Sequence, residues 1–262
     1  MDRLRINNDQ EAMLLLEIAS NAGELLLENG AEVYRAEETV ERIVSSIENV
    51  KDVDVYSTFN GIMISYQVGS DIKSSIRKVK SRKYNLTKVD KINTFSRNFC
   101  QGKYGFNQAL EILDEINNEQ SIPKAYEIIG VAIATAAFTA VINKNALEIL
   151  VAFFVGLMAV IVTTKIEERT LGFFINNFFT GNLISLFTLG FKYFLPNITI
   201  DNIIIGAMMP FLAGALLTTG VRDLMSGNVT SGLTAALTAI LTTIALALGV
   251  ALPMQIMALI GG

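Results

Sequence analysis

The chain changes chemical character at Ile122-Pro123. Of its 46 Asp, Glu, Lys and Arg residues, 34 lie before this point and 12 in the longer stretch after it. A charged side chain at the centre of a bilayer costs about 2.5–3.5 kcal/mol on the insertion scale, so long charge-free segments are the ones lipid tolerates. Taking roughly 20 mostly apolar residues as enough for a helix to cross the hydrocarbon, five spans are expected. They run approximately over 126–142, 147–164, 173–194, 203–221 and 229–252. The last has only Thr, Ser and Gly as polar residues, whereas a helix on the surface of a soluble protein shows a polar face. The expected fold is an α-helical polytopic membrane protein, with residues 123–262 forming a five-helix transmembrane domain and residues 1–122 a small α+β cytoplasmic domain.

Orientation follows from the loop charges. Lys124 and Glu127 stand at the entry to the first span, and Lys165, Glu167, Glu168 and Arg169 join the second and third. The opposite loops hold only Lys144 and Lys192 as cations. This bias puts the amino terminus in the cytoplasm, and an odd number of spans then leaves the carboxyl end outside. The first 29 residues do not resemble a secretory signal, because Asp2, Arg3, Arg5, Asp9, Glu11 and Glu17 interrupt any apolar core.

Within residues 1–122 the apolar spacing over 11–28 predicts a helix that stops at Asn29-Gly30, followed by a second over about 33–48. Alternation over 53–59 and 62–66 predicts two strands joined at Asn60-Gly61, with a third over 72–79. Two more helices are expected near 84–99 and 107–118. Residues 1–50 carry eleven acids and four bases, and residues 71–103 ten bases and two acids. A basic face of this kind suits anionic lipid headgroups or an acidic neighbouring subunit. A net charge of −4 argues against nucleic acid as the partner.

Several chemistries are excluded by composition. The sequence has no histidine and one cysteine, Cys100, which removes histidine-based triads and relays, histidine metal ligation and any intrachain disulfide. No phosphate-binding loop occurs. No cofactor, metal site or catalytic residue is expected.

The polar residues inside the apolar half are therefore the functional candidates. Asn176, Asn177, Thr180, Asn182 and Ser185 crowd the third span. Thr218, Thr219, Arg222 and Asp223 gather at the cytoplasmic end of the fourth, where Gly206, Pro210 and Gly214 are suited to kink or unwind the helix. Thr and Ser also bond back to their own helices, and small faces such as Ala132, Ala136 and Ala140 support close helix packing, including self-association into a homo-oligomer.

Two stretches resemble a known family. Asn21-Ala22-Gly23-Glu24-Leu25-Leu26-Leu27-Glu28-Asn29-Gly30-Ala31-Glu32-Val33-Tyr34-Arg35-Ala36-Glu37-Glu38-Thr39 is similar to the opening signature of the threonine/serine exporter family. The run from Gly214 through Thr219-Gly220-Val221-Arg222-Asp223-Leu224 to Gly232-Leu233 resembles its second signature. Ala213 stands where that family usually has Pro, and Thr219 where it usually has Asn. The chain resembles the short members of the family, which are expected to work with a separate small membrane protein.

The resemblance implies export of a small-molecule substrate, threonine or serine, driven by the proton motive force. Related split systems are linked to small dicarboxylates such as succinate, and the sequence does not choose between them. In this reading Pro210, Gly214, Asn176, Asn177, Thr180, Asn182, Thr218 and Thr219 line the substrate pathway, and Arg222 with Asp223 sets a gate or proton step. Gly30, Arg35, Glu37 and Glu38 of the cytoplasmic signature couple to it or bind ligand. A membrane-anchored metabolite sensor is the main rival; a hydrolase using Glu28, Glu37 and Glu38 has no geometry to support it.

Overall fold

The computed structural model describes residues 4–80, 82–119, 122–167 and 172–261. Glu168 and Arg169, two of the four charges expected between the second and third spans, lie outside the described residues. The chain divides into two compact units: Met1–Glu119 with Thr218–Ala236, and Gln120–Leu217 with Leu237–Gly262.

The first unit is built on helix α1, Asp9–Glu28, capped by the Asn8 side chain, which accepts the Glu11 N–H at 2.8 Å. Its apolar spacing buries Leu15, Ile18, Leu26 and Leu27 completely or nearly so. Helix α2, Val33–Ser45, follows, and then three strands, β1 Val50–Thr58, β2 Gly61–Val68 and β3 Asp71–Lys78, form an antiparallel sheet in the order β1-β2-β3. Alternation in β2 turns Ile62, Ile64 and Tyr66 inward against α1, each such burial stabilising by about 1.5–3 kcal/mol. The Tyr66 hydroxyl donates to the Ala12 carbonyl, pinning sheet to helix. Helices α3, Leu86–Cys100, and α4, Phe106–Asn118, complete the core through Ile92, Phe95, Phe99 and Leu113.

Two details differ from the sequence expectation. The first hairpin turns at Phe59-Asn60, one residue earlier, because Gly61 already pairs with Thr58. A Cβ at Gly61 would stand 2.7 Å from the Arg77 carbonyl, so glycine serves strand packing here rather than the turn. Strand β1 also begins earlier, at Val50, and carries a bulge between Lys51 and Asp54 at which Asp52 takes φ 48°.

The second unit contains α5, Lys124–Ile142; α6, Ala146–Glu167; α7, Phe173–Phe194; and α8, Ile200–Met208. Helix α6 packs on α5, α7 and α8, with Val151, Ala152, Val155 and Ala159 at its buried centre. The chain then makes a short 3-10 turn at Met209–Phe211 and extends at Leu212 before α9, Gly214–Met225, and α10, Val229–Gly261.

Among the described residues, three helices are long and apolar enough to cross a membrane: Lys124–Ile142, Ala146–Ile166 and Val229–Leu259. Ile200–Phe211 and Gly214–Met225 meet the same test only as a bent pair, which makes up to four. The segment expected as the third span is a continuous 22-residue helix, made less apolar by Asn176, Asn177, Asn182 and Lys192. Side chains such as Phe154, Phe179, Leu186, Leu237 and Leu248 are 41–56% exposed, and an apolar solvent is the one that suits them.

Within the second unit, α7 and α10 approach at two glycines. A Cβ on Gly181 would strike the Leu246 carbonyl, and one on Gly249 the Phe178 carbonyl. Pro253 lies inside α10; it has no N–H to give the Gly249 carbonyl one turn earlier. Beside it, Asn182, Leu186, Leu189, Leu252, Pro253, Ile256 and Met257 line an open cavity of about 460 Å³.

At one end of α6, Glu148 is 1% exposed. Its carboxylate accepts from Asn143 Nδ2 at 2.8 Å, the Thr199 N–H at 2.9 Å and Asn202 Nδ2 at 2.9 Å. Asn145 Nδ2 adds a longer bond at 3.4 Å. The carboxylate thereby ties the α5–α6 loop to the start of α8, and burial of its charge is offset by these charge-assisted hydrogen bonds.

Candidate functional site

In the first unit, the two stretches singled out in the sequence fold onto each other. Each is built from the same local device. Helix α1 ends in a Schellman motif: the Ala31 N–H bonds to the Leu26 carbonyl at 3.0 Å and the Gly30 N–H to the Leu27 carbonyl at 3.3 Å. Gly30 takes φ +88°, a conformation that glycine adopts without strain. Helix α9 ends likewise. The Asn228 N–H bonds to the Asp223 carbonyl at 2.9 Å and the Gly227 N–H to the Leu224 carbonyl at 3.2 Å, with Gly227 at φ +91°.

These two turns set the start of α2 against the end of α9. Helix α2 has Glu32 at its cap position and receives no side-chain hydrogen bond from it. The missing cap comes from Asp223, whose Oδ1 accepts the Val33 N–H at 2.9 Å. A carboxylate at a helix amino terminus is stabilised both by the N–H groups there and by the helix dipole. The neighbouring Arg222 donates from Nη1 to Glu32 Oε1 at 2.8 Å, and Arg35 lies 3.6 Å from the other oxygen of that carboxylate. Burial pushes the Glu32 carboxyl up, but the bonds and charges of Arg222 and Arg35 outweigh it and hold it below the ordinary glutamate value. Glu37, one turn on, accepts the Ser57 N–H at 2.6 Å and the Asn228 side chain at 3.3 Å. Glu38 is exposed.

A third segment reaches the same place. Gly30 lies against the Tyr84 ring, which a Cβ there would meet at 2.6 Å. Around it, the Lys83 N–H bonds to the Glu28 carbonyl at 2.8 Å and the Asn85 N–H to the Asn29 carbonyl at 3.1 Å. Tyr84 hydrogen-bonds Thr219, and burial raises its hydroxyl pKa. Arg82 packs its guanidinium 4.3 Å above the Phe59 ring and donates from Nε to the Phe59 carbonyl at 3.1 Å. Burial lowers its pKa, partly offset by the charges of Tyr84 and Asp223.

Two glycines bring α9 and the first turns of α10 together. A Cβ on Gly232 would stand 2.7 Å from the Gly220 carbonyl, and one on Gly220 would stand 3.0 Å from the Gly232 carbonyl. Thr219, Gly220 and Asp223 are consequently buried, while Thr218 and Arg222 face outward.

Of the residues expected to act, Gly30, Arg35, Glu37, Thr219, Arg222 and Asp223 therefore share one region of the first unit. Asn176, Asn177, Thr180, Asn182, Pro210 and Gly214 belong to the second unit. There, Asn177 Nδ2 donates to the Phe173 carbonyl and the Thr180 hydroxyl to the Asn176 carbonyl, both at 2.8 Å, which is how such residues satisfy themselves within a helix. Asn176 Oδ1 and Ser185 Oγ are buried without a hydrogen-bond partner. Pro210 and Gly214 flank the break at Leu212-Ala213.

Glu32, Arg82, Tyr84 and Asn228 were not among the expected site residues. Arg82 and Tyr84 lie in the basic run 71–103. That run is not uniformly solvated, since Lys73 pairs with Asp9, Lys91 pairs with Glu119, and the Lys88 ammonium donates to the Asn117 carbonyl. No group of three or more Cys, Asp or Glu side chains among the described residues is placed to hold a metal ion.

The family model described as "Putative threonine/serine exporter" (ThrE) matches residues 17–257. No curated protein and no solved structure matches the chain.

Proposed function

Since the chain belongs to the threonine/serine exporter family, a family of membrane transporters, we propose that it is one subunit of a secondary exporter of threonine and serine, driven by the proton motive force. A separate small membrane protein completes it. In this reading the amino terminus is cytoplasmic, five segments span the membrane including α7 and the broken α8–α9 pair, and the carboxyl end lies outside.

The observation that carries the proposal is the hydrogen bond from the Val33 N–H to Asp223. Arg222 and Asp223 follow a break in a potential span, and they hold the start of α2 by an ion pair and a helix cap. A shift of α9 breaks or makes those bonds together, because both partners sit on adjacent residues of each element. This supports a gate at Arg222-Asp223 coupled to α2 through Glu32, Arg35 and Glu37. Broken helices expose polar ends to a substrate in other secondary transporters, and Pro210, Gly214, Asn176, Asn177, Thr180 and Asn182 are assigned to the pathway on that ground.

Efflux of labelled threonine, serine and succinate from preloaded cells tests the proposal, using the chain alone and together with its small partner, with and without a protonophore. Threonine or serine efflux from the pair that collapses on uncoupling is the expected result. Succinate efflux in its place makes the protein a dicarboxylate exporter; no efflux from an inserted pair rejects transport.

A further inference from the structure

Among the described residues of the first unit, helices pack on one face of the three-stranded sheet. Ile62, Ile64 and Tyr66 of β2 turn to that face and are buried. The alternate residues Gly61, Met63, Ser65 and Gln67 therefore form the opposite face, together with their cross-strand partners. Its central row is Tyr56-Met63-Ile76, one residue from each strand, and these side chains are 47–72% exposed. Ile72, opposite Gln67, is exposed as well. Single exposed apolar side chains are ordinary, but a contiguous row across a whole sheet marks an interaction surface.

Charge on this face is arranged diagonally about Met63. Asp54 of β1 lies level with Ser65, one row to one side, and Lys78 of β3 lies level with Gly61, one row to the other. Both are exposed, and neither has an ion-pair partner among the described residues. Lys51, level with Gln67, stands at the end of the face, beyond Asp54. A two-fold axis at Met63 between two such faces sets Asp54 of each copy against Lys78 of the other, so a single geometry gives two identical ion pairs. Gly61 and Ser65, the small residues flanking Met63 on its own side of β2, leave seats for Tyr56 and Ile76 of the facing copy. An anionic lipid surface suits the face less well, because Asp54 stands within it.

We propose that this sheet face joins two copies of the chain, packed face to face about a two-fold axis at Met63. Three strands about 4.8 Å apart, with eight residues at about 3.3 Å each, present roughly 400 Å² per copy. A complex between freely diffusing proteins usually needs about 800 Å² per partner. The contact therefore forms between chains already concentrated in one membrane, and it is independent of what the protein transports.

The test is crosslinking of the full chain in membranes. The sequence has one cysteine, so Met63→Cys in a Cys100→Ser background leaves one thiol, at the axis. Packed sheets stand about 10 Å apart, too far for a disulfide, and a short bismaleimide is used instead. Met63→Cys gives a covalent dimer, and Glu41→Cys, at an exposed position on α2, does not. Adding Asp54→Lys or Lys78→Asp lowers the yield at least tenfold, since each sets like charges together twice. Co-expressed with different tags, these two charge variants recover the yield as mixed dimers, in which both pairs are opposite again. That recovery itself shows that each variant folds. The proposal is overturned by no crosslink from Met63→Cys, by a yield that neither charge variant moves, or by charge variants that insert at the wild-type level and fail to recover when mixed. A lipid surface or another protein on this face gives the first of these outcomes, with the thiol shielded from a monofunctional maleimide.

Discussion

Asp223 Oδ1 lies 2.9 Å from the backbone nitrogen of Val33, a residue 190 positions earlier. A helix that lacks its own capping side chain thus borrows one from the distant end of another helix. The borrowed cap makes the start of α2 dependent on where α9 sits. Truncation to Ala removes the acceptor, and loss of such a cap typically costs about 0.5–2 kcal/mol. Asp223→Ala is therefore expected to lower stability by about 1 kcal/mol and to speed hydrogen exchange of the Val33 and Tyr34 amides, while amides in the middle of α1 keep their protection.

Glu32 supplies a pH signature. Its folded pKa is lowered, with burial opposing and the Arg222 and Arg35 contacts prevailing. A carboxyl depressed on folding contributes stability that is present above its unfolded value, about 4.3, and is lost as pH falls through the folded value. Arg222 is 63% exposed, so solvent screening keeps the gain to a fraction of 1 kcal/mol. Unfolding midpoints of wild type and Glu32→Gln should differ at pH 6 and converge as pH falls below the unfolded value and through the lowered folded one. A difference that widens on acidification contradicts this assignment.

Gly30 is expected to tolerate no side chain. At φ +88°, with the Tyr84 ring 2.6 Å from where an added methyl would stand, Gly30→Ala suffers both backbone strain and a clash. The cost should exceed about 1 kcal/mol. Thermal unfolding checks it, and Gly69→Ala is the control, since that glycine also has positive φ but nothing within 4 Å.

Much of this was legible locally. The α1 stop at Asn29-Gly30, the alternation of Ile62, Ile64 and Tyr66, and the two later helices follow from patterns a few residues long. The hairpin register slipped by one because Gly61 answers to the Arg77 carbonyl on the neighbouring strand, which no local pattern reveals. The change in charge density at residue 122 carries no trace of the return of Thr218–Ala236 to the first unit. One hint was present: Ala31-Glu32 precedes α2 where Ser, Thr, Asp or Asn would normally cap, so a cap had to come from elsewhere. Arg82 was hidden in a basic run whose composition suggested a face for lipid headgroups or an acidic subunit, although its own guanidinium packs on Phe59.

Glu148 tests the second unit alone. Donors from the α5–α6 loop and from the start of α8 converge on a carboxylate that is 1% exposed, and truncation leaves them unsatisfied at about 1–3 kcal/mol for a buried group. Glu148→Ala is expected to lower the unfolding midpoint and the yield of folded protein, and Glu148→Gln, which keeps one acceptor, to fall between it and wild type. Wild-type stability in both variants contradicts the clasp.

The most direct test of the Asp223 gate is threonine efflux from cells expressing the small partner with wild type, Asp223→Asn or Asp223→Glu, at matched amounts of membrane-inserted protein. The carboxamide of Asn keeps an acceptor for the Val33 N–H but loses the charge, and Glu keeps the charge one methylene out of place. The account predicts at least tenfold slower efflux for Asn, with Glu intermediate. Wild-type efflux from Asp223→Asn, with its dependence on the proton motive force intact, would contradict it.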